Sequence, residues 1–175
     1  MLCGERVILR PVEPRDLDAF IALFSAAGME HFWPGEDREK LAREHVWPDD
    51  DDVTVYAVTV NGATIGLVQS WEETDPEYRH AGIDIALHPD WHEQGMGTDA
   101  VRTLARHLFE GVGHHRVTID PAADNDRAIR CYEKVGFRRV GVMRQYERGQ
   151  DGTFHDGLLM DLLPEDLTDP GLPLG

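Results

Sequence analysis

The sequence is poor in cysteine and in positive charge, and it contains no long apolar run. Two cysteines occur among the 175 residues, Cys3 near the start and Cys131 in a segment of helical pattern. They lack the spacing of a disulfide framework or a zinc site, so both are expected to be free thiols. Lys and Arg number 17 against 33 Asp and Glu, a formal net charge of −16. That balance argues against nucleic acid and anionic membranes; it suits either a polycationic partner or an acidic surface kept for solubility. No stretch approaches the roughly 20 apolar residues of a membrane span. The opening MLCGERVILR puts Glu5, Arg6 and Arg10 where a signal peptide would carry its apolar stretch, and a cytoplasmic location is expected. With 41% hydrophobic residues the chain can fill one core but hardly two. One domain over residues 1–165 is expected, followed by a loosely held tail at 166–175.

Periodicity supplies the elements. ERVILR reads as a strand, and PRDLDAFIALFSAAG as a helix with Leu17, Phe20, Ile21 and Phe24 on one face and Gly28 as its stop. EDREKLAREHV reads as a second helix with Leu41 and Val46 inward, and WPDDDD as an acidic loop. VTVYAVTV and ATIGLVQSW flank Asn61 and Gly62, a pair suited to a two-residue hairpin turn. The strand AGIDIAL ends before Pro89. From Gly97 a helix runs to Gly111 or Gly113 with Val101, Leu104, Ala105, Leu108 and Val112 on its stripe. The strand HRVTID, the helix in NDRAIRCYEKVGF, and a hairpin of FRRVGVMRQYE with GTFHDGLLMDLL complete the order. Strand-helix-strand units occur only in the second half, which implies a mixed sheet.

Two motifs carry chemistry. In HEQGMGT, residues 92–98, Gly95 and Gly97 join a strand to a helix, so backbone N–H groups and a helix N-terminus can converge on a phosphate. A plain tight turn would use the same pair. No Lys follows the second glycine, which excludes a Walker loop, and the three-glycine dinucleotide fingerprint is incomplete. In NDRAIRCYEKVGF, Asn125, Ala128 and Tyr132 share one helix face. Asn125 suits an N-cap, Gly136 a left-handed stop, and Phe137 a strand start inside the core.

The glycine turn followed by NDRAIRCYEKVGF resembles the acetyl-CoA site of the GNAT N-acyltransferases. Over Ile65 to Val140 the segments WEETDP, GID, GMGT, IDP and RAIRCYEK are similar to those of the aminoglycoside 6'-N-acetyltransferases. The resemblance implies a single α/β domain with a mixed, splayed sheet of about six to seven strands and about four helices. It implies acetyl-CoA as co-substrate, held by Leu87, His92, Glu93, Gln94, Gly95, Met96, Gly97, Thr98, Asn125, Ala128 and Tyr132. His92 stands where the family often has Arg or Gln, which costs one side-chain contact. Acetyl would pass to a primary amine, of an aminoglycoside or of another acceptor such as a peptide N-terminus, a polyamine or a small metabolite. A catalytically silent acyl-CoA-binding domain is the non-enzymatic alternative, and a monomer or a homodimer is compatible with all of these.

The resemblance also assigns roles. Phenol and thiol titrate close together, so Tyr132 is suited to protonate a departing thiolate; a core tyrosine tied to backbone is the plainer reading. Asp84 is odd in a strand between Ile83 and Ile85. It matches the aspartate that binds the acceptor amine and takes its proton, which requires a raised pKa or a water relay. Asp120 before Pro121 either binds a substrate amine or makes a turn. Glu72 and Glu73 are candidates for the acceptor cleft, but strand alternation allows only one of them to face it. His88, His92, His114 and His115 supply no third ligand at a recognisable spacing, so no metal is expected.

Overall fold

The computed structural model describes residues 1–27, 29, 38–46, 48, 51–149 and 151–169. Its strands are β1 (Leu2–Cys3), β2 (Ile8–Pro11), β3 (Val53–Val60), β4 (Ala63–Glu73), β5 (His80–Leu87), β6 (Val117–Ile119), β7 (Arg138–Arg148) and β8 (Phe154–Leu162). Its helices are α1 (Leu17–Phe24), α2 (Arg38–Leu41), α3 (Met96–His107) and α4 (Asp126–Val135). All eight strands form one sheet in the order β1-β2-β3-β4-β5-β6-β8-β7. Neighbours are antiparallel except β5 and β6, whose parallel pairing consists of Ala81↔Val117 and Gly82↔Thr118. Beyond those two pairs the strands part.

Each face of the sheet carries its own core. Val58, Val68, Ala81, Ile83, Val117 and Ile119 pack with Leu104 of α3 and Ile129 of α4. On the other face Ala57, Leu67 and Ala86 pack with Leu17, Phe20 and Phe24 of α1 and Leu41 of α2. Alternation along β5 therefore turns Gly82 and Asp84 toward the α1/α2 face with Ala86. The same rule turns Thr118 and Asp120 that way, because Val117 and Ile119 belong to the α3/α4 core. Trp71, paired with Gly82, lays its indole across the strand where any Cβ at Gly82 would collide with it. Among the described residues no helix is long and apolar enough to cross a membrane.

The sheet has one strand more than expected, because Leu2 and Cys3 pair with Leu9 and Ile8. The Asn61-Gly62 turn has φ of 50° and 82°, as its hairpin requires. Helix α1 stops at Phe24, before the expected Gly28, which lies outside the described residues. After Leu41 the chain widens into a π turn, Ala42–Val46, so Ala42 and His45 are buried there. A second π turn, Leu108–Val112, moves Val112 off the stripe and leaves it 36% exposed. The tail is held at its start rather than loose: Thr168 donates its N–H to the Val135 carbonyl at 2.9 Å, its hydroxyl to Lys134 O at 2.8 Å, and Asp166 pairs with Arg138. Residues 170–175 lie outside the described residues.

Gly136 ends α4 at φ 117°, where a Cβ would strike the carbonyl of Asp166. Gly136→Ala is expected to lose about 1–3 kcal/mol, seen as a fall of several degrees in Tm. A wild-type melting curve would show that the Asp166 segment moves aside at no cost.

Candidate active site

The turn between β5 and α3 is built to leave amides unpaired. Gly95 is the α3 N-cap at φ 82° and no side chain caps the helix, so the first N–H groups of α3 have no intrahelical partner. Several contacts fix this turn from outside. The buried carboxylate of Asp99, in the first turn of α3, accepts the backbone N–H groups of Glu5, Arg6 and Val7 at 3.1, 2.7 and 3.0 Å. Arg6, anchored in this way, donates to the Gln94 carbonyl at 3.2 Å. The Gln94 amide donates to Asp90 O at 2.6 Å, and the His92 ring donates to Leu87 O at 2.8 Å. Burial pushes His92 below its ordinary pKa, so at neutral pH its imidazole is uncharged and serves the turn.

Between this turn, β5 and α4 lies a cleft of about 380 Å³. Of the residues singled out from the sequence, Leu87, His92, Glu93, Gly95, Gly97, Thr98, Asn125, Ala128 and Tyr132 line it. Gln94 and Met96 do not. The Gln94 amide is spent on Asp90, and Met96 packs against the α3/α4 core. Asn125 caps α4 by accepting the Ala128 N–H at 3.2 Å, as the sequence suggested. The sequence reading missed Arg127, Arg130 and Lys134, which line the same cleft and form no ion pair with a described residue. Their spacing of three and four along RAIRCYEK was the available signal. Cys131 lines the cleft too; its thiol lies 3.2 Å from the Thr98 hydroxyl and burial raises its pKa, which keeps it protonated and unsuited to act as a nucleophile.

Tyr132 is 7% exposed and its hydroxyl makes no hydrogen bond to a described residue. The tied core tyrosine is thus not what the fold contains. Burial first, then neighbouring Cys131, Asp84 and Asp120, raise the phenol well above its ordinary pKa. Tyr132 lines the cleft, and its hydroxyl is left open there to a hydrogen bond from outside the protein.

Across the parted strands, Asp84 and Asp120 flank the opening on the α1/α2 face. The Asp84 carboxyl is pushed up to about 6, mainly by burial and then by the charges of Asp120 and Glu147; the Gln69 amide, 3.3 Å away, pulls it down. Burial likewise raises Asp120, against a hydrogen bond from Tyr146. The two glutamates separate as alternation requires. Glu72 turns to the opposite face from Asp84, where His114, its side chain fully buried, lies 2.9 Å away, so it does not join the acceptor side. Glu73 shares the Asp84 face but sits four positions along β4 from Gln69, about 13 Å away, and accepts the Asp75 N–H at 2.9 Å.

A sheet that opens between two parallel strands, a glycine turn on one side of the opening and an unpaired phenol within it define an acyl-CoA-dependent transferase architecture. Residues 6–138 match the acetyltransferase (GNAT) domain family, and the chain belongs to that family. It is 35% identical to an aminoglycoside N(6')-acetyltransferase type 1 of Klebsiella pneumoniae over 158 residues, 80% of this chain and 78% of that protein. It is 24% identical to a spermidine N(1)-acetyltransferase of Escherichia coli over 166 residues, 91% of this chain and 87% of that protein. The solved structure of AAC(6')-Ib with paromomycin and acetyl-CoA superposes at TM-score 0.76 and 27% identity, covering 93% of this chain and 96% of the other.

The Asp84 environment can be measured directly. Carboxyl-selective ¹³C NMR should find Asp84 titrating near pH 6, and Asp120→Asn should lower that midpoint while leaving it above the usual 3.9, since burial is the larger cause. A wild-type midpoint near 4 would mean that Asp84 is solvated.

Proposed function

We infer that the protein moves the acetyl group of acetyl-CoA directly to a primary amine of an aminoglycoside. The observation that carries this reading is the unpartnered Tyr132 hydroxyl, set in the opening of the sheet between a cradle of amides and the carboxylates of Asp84 and Asp120. The Klebsiella relative and the AAC(6')-Ib complexes support the choice of acceptor. A polyamine is the second reading, favoured by the spermidine acetyltransferase relative and by the same carboxylates.

The donor set of the cleft fits acetyl-CoA. Free amides at Gly95 to Thr98 suit a pyrophosphate, and Arg127, Arg130 and Lys134 add positive charge for phosphates. Ile85, Ala86, Leu87 and Ala128 offer apolar wall to the arm between phosphate and sulfur. When bound, acetyl-CoA supplies an acyl group activated as a thioester. Asp84 binds the acceptor ammonium and takes its proton, so that the amine nitrogen attacks as a neutral nucleophile. A carboxylate at about 6 is better matched to that task than one at 3.9. A C–N bond forms as the C–S bond breaks, and Tyr132 holds the proton that the departing sulfur needs. Burial raises the phenol, but a thiolate released into the same dry site is raised with it, so the two remain close enough for efficient transfer.

Thiol release from acetyl-CoA with kanamycin as acceptor tests the activity; no turnover of kanamycin or spermidine, with acetyl-CoA bound, would leave a different amine acceptor or a silent binding domain. Tyr132→Phe keeps the packing against Phe137, whose ring centroid is 6.1 Å away, and should lower kcat by roughly 10²- to 10⁴-fold with the acetyl-CoA KM little changed. Protonating Asp84 removes the base, so kcat/KM should fall about tenfold per pH unit below pH about 6. An acid limb near 4 would assign the base elsewhere. A Val at Gly97 has room for its Cβ, 3.4 Å from Cys131 Sγ and 3.5 Å from Leu87 Cδ1, but its methyl groups reach into the cleft and should raise the acetyl-CoA KM. An unchanged KM would put the co-substrate elsewhere.

A further inference from the structure

The glycine turn has no cationic side chain of its own to offer a phosphate. His92 is a neutral ring engaged with Leu87 O, Gln94 gives its amide to Asp90 O, and Met96 packs against the core. The Thr98 hydroxyl lies 3.2 Å from the Cys131 thiol, and Glu93 brings a negative charge to the cleft. Only backbone amides remain, so positive charge must come from outside the turn. In a chain of net charge −16, a polyanion needs it there.

One source is α4, which borders the start of α3 where the Cys131 sulfur meets Gly97 and Thr98. At Asp99 the helix start is bordered instead by residues 5–7, from the turn between β1 and β2. From there the exposed Arg6 side chain reaches the glycine turn. Its Nε, Cδ and Cζ lie 3.7 to 3.8 Å from where a Cβ at Gly95 would stand, and Nη1 donates to Gln94 O at 3.2 Å. The root of the side chain is fixed, because Asp99 Oδ2 accepts the Arg6 N–H at 2.7 Å. Arg10, Arg116 and Arg139 are spent on Asp16, Asp161 and Glu133. Arg6 forms no ion pair with a described residue, and one bond to a carbonyl leaves most of its five N–H groups for a ligand. A cation beside a helix N-terminus is unfavourable by itself; an anion bound between the two reverses the sign.

We propose that Arg6 pairs through its free guanidinium N–H groups with the pyrophosphate of acetyl-CoA, closing the cradle of amides on the side away from α4. The proposal rests on the acetyl-CoA cleft described above and adds to it a binding residue from the N-terminal turn, outside both sequence motifs.

Calorimetric titration tests the contact without turnover, using CoA and dephospho-CoA, which keeps the pyrophosphate but lacks the 3'-phosphate. Arg6→Gln should raise Kd roughly 5- to 20-fold, by the same factor for both ligands. Arg6 is exposed, so Tm should hold. Added salt should weaken binding to wild type more steeply than to Arg6→Gln, a difference that mere support of the turn through Gln94 O would not produce. Arg6→Lys keeps the charge but not the planar fork, and should recover part of the affinity together with the wild-type salt dependence. An unchanged Kd in Arg6→Gln, a loss with unaltered salt dependence, or a loss confined to CoA would each overturn the proposal. Wild type that binds neither ligand would instead overturn the reading of the cleft on which it rests.

Discussion

The structure depends on a pairing that stops early. Parallel strands β5 and β6 share two residue pairs, Ala81↔Val117 and Gly82↔Thr118, and then diverge. The divergence opens a passage between the two faces of a sheet that would otherwise separate them. On the α3/α4 face lie the glycine turn, the basic side of α4 and Tyr132; on the other lie Asp84 and Asp120. Two chemically opposite environments, one rich in amide and cationic donors and one rich in carboxylates, thereby share a boundary one strand thick.

Hydrophobic periodicity and turn chemistry made most of this legible. The Asn61-Gly62 hairpin, the stripe of α3, the Asn125 cap and the Gly136 stop each followed from a local rule. Strand alternation foretold that Glu72 and Glu73 would part company, but which of them would face Asp84 needed the pairing register. Two of the misses share a cause. Two π turns each insert an extra residue into a helical pattern, burying His45 and expelling Val112, and periodicity cannot announce its own interruption. Gln94 and Met96 were placed in the cleft by their position in the glycine motif, and hydrogen bonding and packing took their side chains elsewhere.

Several polar groups are engaged within the scaffold itself. His92 stabilises the turn as a neutral ring, and His114 holds Glu72 on the far face. Arg10 and Thr64 clasp the buried Asp16 at 2.6 to 2.7 Å and fix the entry to α1. Once these are accounted for, Tyr132 and the arginines of α4 stand out because no described residue pairs with them, and Asp84 because burial raises its carboxyl against the pull of Gln69.

The grip of Asp99 on residues 5, 6 and 7 spans more than ninety positions of sequence. Contacts of that range close late during folding, since a long loop must be ordered before they form. During synthesis the opening hairpin must therefore wait until α3 has left the ribosome before Arg6 can reach the Gln94 carbonyl. The cradle of amides would acquire its final shape only when the first residues made and the middle of the chain come together, so competence to bind would follow rather than guide the assembly of the sheet.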